Sequence, residues 1–334
     1  MINICLVSTR FWAVCNPILY RTVDFLSRGT NRGPEKHTRI LQRQVMWTRQ
    51  ILANPNLGRL VKSFSWSIMH NINGPSQWER NYNEEWELNF EEGTTALYNM
   101  FRLISTATQC CIEVVSSPGH HEIRPPRDLH NLFPQAQDIT LRGAIHPILA
   151  SAILHGSGKP ALIRLTLENI IDPWRPEVNT LAGIGTRALQ SRCQNLKVLK
   201  IRKHGRFDNK PPRSCVIMNT DHLHRAIVEK DEMEYEQAAH IIQLLEPESL
   251  IFAYGKQVDH MLNPIYRDRE IEEGLKRGNC PKDLYFRQYI EPILIMGWPA
   301  LKALDIRGVK EEFTANLRSL PLQLTTTEEW ERGP

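Results

Sequence analysis

Gly156-Ser157-Gly158-Lys159 is the first stretch to test for chemistry, because glycines ahead of a lysine can wrap backbone N–H groups around a phosphate. The complete phosphate loop also needs a glycine five positions before its last glycine, and Ser or Thr after the lysine. Those places hold Ile153 and Pro160. Neither the tight turn nor the magnesium-binding hydroxyl is supplied, so the stretch reads as a loop entering a strand at Leu162. Gly183-Ile184-Gly185 follows no predicted strand and lacks the context of a dinucleotide site.

The metal candidates are Asp221-His222-Leu223-His224 and the pair His120-His121. Histidines two apart share a face only on a strand, and no third ligand lies at a metal-site spacing. His120 and His121 precede Arg124-Pro125-Pro126-Arg127, a surface loop by composition. Adjacent Cys110 and Cys111 point to opposite faces of a strand, so burial of at least one is expected rather than shared ligation. Seven cysteines, at 5, 15, 110, 111, 193, 215 and 280, fit neither a disulfide framework nor a zinc site. Reduced thiols in a cytoplasmic or nuclear protein are the simpler reading. No G-x-S-x-G elbow, H-E-x-x-H helix or paired-carboxylate constellation stands out. The expectation is therefore a non-enzymatic protein with no cofactor and no metal. An unrecognised α/β enzyme stays as an alternative, since triads assemble from distant positions. Glu84, Glu85, Glu87, Glu91 and Glu92 alternate with Trp86, Leu88 and Phe90, which suits a solvated loop edge or a partner surface.

Composition narrows the partners. Lys plus Arg is 41 and Asp plus Glu is 37 in 334 residues, a net charge of +4. Nucleic-acid binding needs a concentrated basic face, so none is expected. A hydrophobic share of 41% is enough to build a core. No apolar run approaches the ~20 residues of a membrane span, and Arg10 interrupts the N-terminal apolar stretch where a secretory leader would stay uncharged. Neither membrane insertion nor secretion is expected.

The elements that would position these residues follow from periodicity. Leu41, Val45, Thr48, Ile51 and Leu52 predict a helix over His37–Ala53, stopped by Pro55. Leu97, Phe101 and Ile104 predict another after Thr94 and Thr95, and Tyr235, Ala238, Ile242 and Leu245 a third. Leu284–Met296 is apolar enough for a fourth, kinked or broken at Pro292. Val178–Leu189 is a weaker helix because Gly183 and Gly185 lie inside it.

Between the helices an L-x-x-L-x-L pattern recurs. It runs Val61-Phe64-Trp66, Ala136-Ile139-Leu141, Leu162-Leu165-Leu167, Leu196-Leu199-Ile201 and Leu301-Leu304-Ile306. A degenerate copy is Ser249-Phe252-Tyr254, and a weaker one lies near Cys111–Val115. Starts at 61, 111, 136, 162, 196, 249 and 301 are spaced mostly by one or two multiples of about 26, within the period of leucine-rich repeats. Alternating strands and helices at that period predict an α/β fold, an irregular leucine-rich-repeat-like solenoid with a parallel sheet and helices behind it. A doubly wound α/β domain is the alternative.

At the N-terminus the residues read Ile4-Cys5-Leu6-Val7-Ser8-Thr9-Arg10-Phe11, then Asn16-Pro17-Ile18-Leu19-Tyr20-Arg21-Thr22-Val23. This resembles the second half of an F-box, and the whole chain resembles a fungal-type F-box protein with irregular leucine-rich repeats. The resemblance implies residues 1–25 as a short helical F-box remnant, 26–36 as a linker and 37–334 as the repeat domain. It also implies a substrate-recognition subunit of an SCF-type ubiquitin ligase, with Leu6, Val7, Phe11, Leu19 and Tyr20 binding the adaptor that links to the cullin. The family's opening Leu-Pro and first helix would precede residue 1, so a truncated F-box is expected. The alternatives are an apolar cap on the open end of the solenoid and a repeat scaffold with no ubiquitin link.

Residues between the motif leucines point away from the helices. They are Asp138, Thr140 and Arg142, then Arg164, Thr166 and Glu168, then Val198, Lys200 and Arg202. In parallel register Asp138 would neighbour Arg164, Arg142 would neighbour Glu168, and Glu168 would neighbour Arg202. This face is the expected partner-binding surface, carried by Asp138, Arg142, Arg164, Glu168, Lys200 and Arg202, with arginines as anchors for a partner's carboxylates.

Overall fold

The computed structural model describes residues 15–26, 34–69, 90–115, 125–143, 145–155, 160, 162–168, 170, 189, 192–193, 196–203, 235–254 and 281–327. The chain is α/β and falls into two compact units, residues 1–162 with 187–192, and residues 163–186 with 193–334.

In the first unit strands β1 (Thr22–Phe25), β2 (Ser63–Met69), β3 (Gln109–Val115) and β4 (Asp138–Gly143) pair in parallel, each with the next in sequence. Helix α1 (Pro34–Ala53) and the short α2 (Pro55–Gly58) lead from β1 to β2; α3 (Phe90–Leu103) precedes β3, and α4 (Pro147–Leu154) follows β4. The register aligns Val23, Phe64, Cys110 and Ile139 in one row and Phe25, Trp66, Ile112 and Leu141 in the next. All eight are buried. Alternate side chains of a strand leave on opposite faces, so these two rows make the core side of the sheet. Aromatic rings fill it: Phe64 lies 5.6 Å from Trp66, 5.5 Å from Phe101 and 5.4 Å from Phe133 between ring centroids.

The second unit repeats the plan with β5 (Arg164–Glu168), β6 (Val198–Lys203), β7 (Ser249–Tyr254), β8 (Ala303–Arg307) and β9 (Gln323–Thr327), again parallel and paired in chain order. Leu165, Leu199, Leu250 and Leu304 form one buried row, and Leu167, Ile201, Phe252 and Ile306 the other. A helix over 235–245, α5, brings in buried Tyr235, Ala238, Ile242 and Leu245. Tyr235 lies 6.0 Å from Phe252 and 5.7 Å from Tyr285.

One backbone corner recurs ahead of the strands. The Arg21 carbonyl accepts from the N–H groups of Lys62 and Ser63 at 2.8 and 3.0 Å. Lys62 receives Thr108 and Gln109 in the same way, and Thr108 receives Gln137 and Asp138. In the second unit Ile163 serves Lys197 and Val198, and Glu248 serves Lys302 and Ala303. A single carbonyl with two lone pairs thus satisfies two donors where one strand begins beside the last.

Register corrects two motif copies. Leu250 and Phe252 align with Leu199 and Ile201, so the copy in β7 runs Pro247-Leu250-Phe252, not Ser249-Phe252-Tyr254. Cys110 and Ile112 align with Ile139 and Leu141, so the weaker copy is Ala107-Cys110-Ile112. A shift by an even number of residues keeps the in-and-out alternation, and apolar pattern alone cannot reject it. The same register reveals a further copy, Tyr20-Val23-Phe25, at the first strand.

Three local differences have physical reasons. Residues 15–19 are helical, but Thr22–Phe25, expected as the end of a helical segment, is a strand, as its alternating T-V-D-F pattern favours. In α1 the buried positions are Gln44, Thr48 and Ile51, while Leu41 is 37% exposed. On that face the Gln44 amide donates to the Ser67 carbonyl of β2, one residue past the end of its pairing with β1, at 2.9 Å, which gives a buried polar residue its partner. The last helix continues past Pro292 but is irregular just ahead of it, in place of a clean break. It runs as Pro281–Tyr285, a π-turn Phe286–Ile290, then Glu291–Met296, and the wider turn accommodates a residue that has no N–H to give. The expected helix at Val178–Leu189 lies outside the described residues except for Leu189, which is buried.

Candidate functional site

The partner-face residues predicted from sequence occupy the polar parity of β4, β5 and β6. In the first unit, Asp138, Thr140 and Arg142 are intermediate or partly exposed while Ile139 and Leu141 are fully buried. The rows beside them read Thr22-Ser63-Gln109-Asp138 and Asp24-Ser65-Cys111-Thr140, followed by Ser67-Glu113-Arg142. In the third row the Ser67 hydroxyl donates to the Glu113 carboxylate, and Arg142 Nη1 lies 3.6 Å from Glu113 Oε1. Glu113 keeps only 12% of its side chain exposed, so the pair is held with little room to swing. Ser63, Ser65, Gln109, Cys111, Asp138 and Thr140 line a depression of about 190 Å³. It offers hydroxyls, an amide and a carboxylate, which are hydrogen-bonding groups for a polar partner.

Cys110 and Cys111 divide as expected of strand neighbours. Cys110 faces the core at 3% exposure, and burial pushes its thiol well above the ordinary value, with a smaller contribution from Cys111. Cys111 lies on the polar face between Ser65 and Thr140.

In the second unit Glu168 Oε1 stands 3.7 Å from Arg202 Nη1, the neighbour relation predicted from parallel register. Arg164 is exposed at the start of β5, and Glu168 is buried at 4%. Two further charged residues join this face and were not picked out from sequence: Asp305 and Arg307 on β8. Arg307 donates Nε to Asp305 Oδ1 at 3.1 Å and Nη2 to Oδ2 at 2.7 Å. The alternation of Ala303-Leu304-Asp305-Ile306-Arg307 already carried the signal, had the polar parity been read beyond the third strand. Lys200 is half-buried; desolvation lowers its pKa, Arg202 lowers it further, and Glu168 and Asp305 act the other way.

Asp138 and Arg142 belong to the first unit and Arg164 and Glu168 to the second. Arg142 finds its carboxylate inside its own unit, at Glu113, a residue the sequence reading missed.

Of the predicted adaptor-binding residues, Leu6, Val7 and Phe11 lie outside the described residues. Leu19 sits at the end of the helical turn and is 37% exposed, beside Ile18 at 65%. Tyr20 is half-buried, its hydroxyl accepts from Gln50 Nε2 on α1, and burial raises its pKa. The motifs at 156–159, 183–185, 120–121 and 221–224 lie outside the described residues, as does Trp86. Among the described residues no group of three or more His, Cys, Asp or Glu side chains is placed to hold a metal ion, and no helix is long and apolar enough to cross a membrane.

No protein-family model, no curated protein and no solved structure matches this chain.

Proposed function

We propose that this chain is a non-enzymatic protein-interaction module built as an irregular leucine-rich-repeat solenoid, which captures a protein partner on the polar face of its strands. One observation carries the reading: in both units one parity of the strands is core, while the other carries polar and ionic side chains on β2 to β6 and on β8, with Ile251 and Ala253 of β7 as the apolar exception. Within each unit, short parallel strands that each pair with the next in sequence suit a repeat array. Within this reading, the resemblance of residues 4–23 to half an F-box assigns the chain to substrate recognition in an SCF-type ubiquitin ligase, with Leu6, Val7, Phe11, Leu19 and Tyr20 toward the adaptor.

A second reading has its own support. Tyr20-Val23-Phe25 is in register with the following motif copies, so the end of the F-box-like segment serves as the first repeat. A scaffold without a ubiquitin link needs no more than that. Co-purification from cell extract separates the two. In the ligase reading the adaptor and cullin come down with the tagged chain, and Leu6→Ala with Phe11→Ala abolishes their recovery while the far-ultraviolet circular dichroism is unchanged. Recovery of a partner without adaptor or cullin leaves the scaffold.

A further inference from the structure

Helix α1 covers the core side of the first unit's sheet, with Gln44, Thr48 and Ile51 buried and Gln44 bonded to β2. At about 3.6 residues per turn, the side turned away from the sheet carries Arg39, Arg43, Met46 and Arg49. All four are exposed, Met46 at 61%. From Lys36 to Trp78 the sequence holds six Lys and Arg and no Asp or Glu, and Glu35 is the only acid in the helix. Among the described residues no carboxylate makes an ion pair with Arg39, Arg43 or Arg49. The strand face differs: there Arg142, Arg202 and Arg307 each stand beside a carboxylate. Like charges one helical turn apart repel, so the spacing of Arg39 and Arg43 does not stabilise the fold by charge. Arg43 is already oriented, its guanidinium carbon 5.4 Å from the centre of the Phe25 ring.

We propose that the outer side of α1 docks an acidic segment of a partner protein, with carboxylates on Arg39, Arg43 and Arg49 and an apolar side chain against Met46. This surface is distinct from the strand face, and the proposal does not depend on capture there. Arg39 and Arg49 stand about 15 Å apart along the helix axis, a span that an extended chain covers in about five residues. A short segment with acids at alternate positions therefore reaches all three guanidinium groups, whose planar forks match carboxylates. Nucleic acid fits less well. Its affinity climbs with the number of phosphates neutralised, three arginines neutralise few, and a phosphate backbone offers Met46 no apolar contact. A bilayer surface requires a broad apolar face open to lipid, whereas the face with Ile51 is buried against the sheet.

Fluorescence anisotropy of the full chain at low salt tests the surface with a labelled peptide alternating Glu and Ser around one Leu, and with its Gln-for-Glu counterpart. A single-stranded DNA oligonucleotide and phosphatidylcholine vesicles containing phosphatidylserine supply the other anions. The Glu peptide is expected to bind at least about tenfold more tightly than the Gln peptide, equivalent to about 1.4 kcal/mol. Arg39→Gln with Arg49→Gln should remove most of that difference at an unchanged thermal midpoint, since both are exposed and the Arg43 contact with Phe25 is kept. Arg164→Glu on the strand face and Arg287→Gln in the second unit should not remove it. Met46→Ser should weaken the Leu peptide severalfold and leave a Ser-for-Leu version unchanged; equal effects on both would refute the apolar contact. Equal binding of the Glu and Gln peptides, or indifference to the α1 double variant, would overturn the site. Tighter binding of the oligonucleotide or the vesicles, lost in that same variant, would overturn the protein assignment. Co-purification reads the strand face separately, so partner recovery that persists without peptide binding removes the α1 surface and leaves the interaction module standing.

Discussion

Leu199 has no exposed surface and sits in a row flanked by Leu165 and Leu250. Leu199→Ala should therefore cost about 2–5 kcal/mol, read as a lowered thermal midpoint; an unchanged midpoint would contradict the register. Arg192 is the opposite kind of core residue, a guanidinium 1% exposed. It donates to the carbonyls of Ile153, at the C-terminal end of α4, and Ala136, before β4, with longer contacts to Phe133 and Pro160. The side chain thus supplies donors to carbonyls that helix and turn geometry leaves over. Arg192→Met should cost about 3 kcal/mol, because each orphaned buried carbonyl carries a penalty of about 1–3. Arg192→Lys should recover only part of it, having no fork. For the adjacent thiols, burial keeps Cys110 protonated through neutral pH. Alkylation followed by peptide mapping should modify Cys111 well before Cys110, and equal rates would place Cys110 outside the core.

At the scale of elements, the strand ends make the sharpest demands. Gly143 ends β4 at φ 80°, and a Cβ there would stand 2.2 Å from the Val114 carbonyl oxygen on β3. Gly143→Ala must therefore separate the ends of two paired strands. Gly297 closes the last helix at φ 61°, but its nearest heavy atom is 3.7 Å away. Gly297→Ala should cost only the strain of a backbone conformation, φ 61° with ψ −178°, that is essentially glycine's own, about 1–3 kcal/mol, and Gly143→Ala should add the close approach to Val114. The two denaturation midpoints check that order. At the starts of β7 and β8, Lys302 Nζ bonds Glu248 at 2.9 Å and lowers its pKa, first through that hydrogen bond. A depressed carboxylate pKa contributes stability above the unfolded value, and that contribution fades as pH falls through the folded value. Glu248→Gln should flatten the acid limb of the stability–pH curve slightly and leave stability near neutrality little changed, as expected of an exposed pair.

For the molecule as a whole, partner capture is the property to perturb, and the ion pairs decide how. Arg164 is exposed, so Arg164→Glu should reverse charge on the polar face and weaken capture without disturbing the fold. Arg202→Glu would set a new carboxylate against Glu168, whose side chain is only 5% exposed. Loss of capture by that variant would mix folding with binding. Arg202→Gln removes the charge and keeps hydrogen-bonding capacity. The pair Arg164→Glu with Arg202→Gln should lower partner recovery at an unchanged circular dichroism spectrum. Normal recovery by the folded double variant would move the binding surface off these strands.

The α/β class and the parallel strands were legible in the residues because alternation within a strand and periodicity within a helix are local properties. Leu165, Leu199 and Leu304 announce the core side through spacing alone, and Glu168 beside Arg202 follows once like positions are aligned. Copy boundaries at Cys110 and Leu250 were not legible, since an even shift preserves the pattern and only hydrogen-bonded register rejects it. The buried face of α1 depends on a partner distant in sequence, the Ser67 carbonyl that Gln44 reaches, while the π-turn just ahead of Pro292 is local but leaves no distinct pattern in the residues. Glu113 for Arg142, and the four carbonyls around Arg192, are likewise choices made in space. Local pattern determines which side of a strand is wet or dry; long-range pairing alone decides which charge meets which.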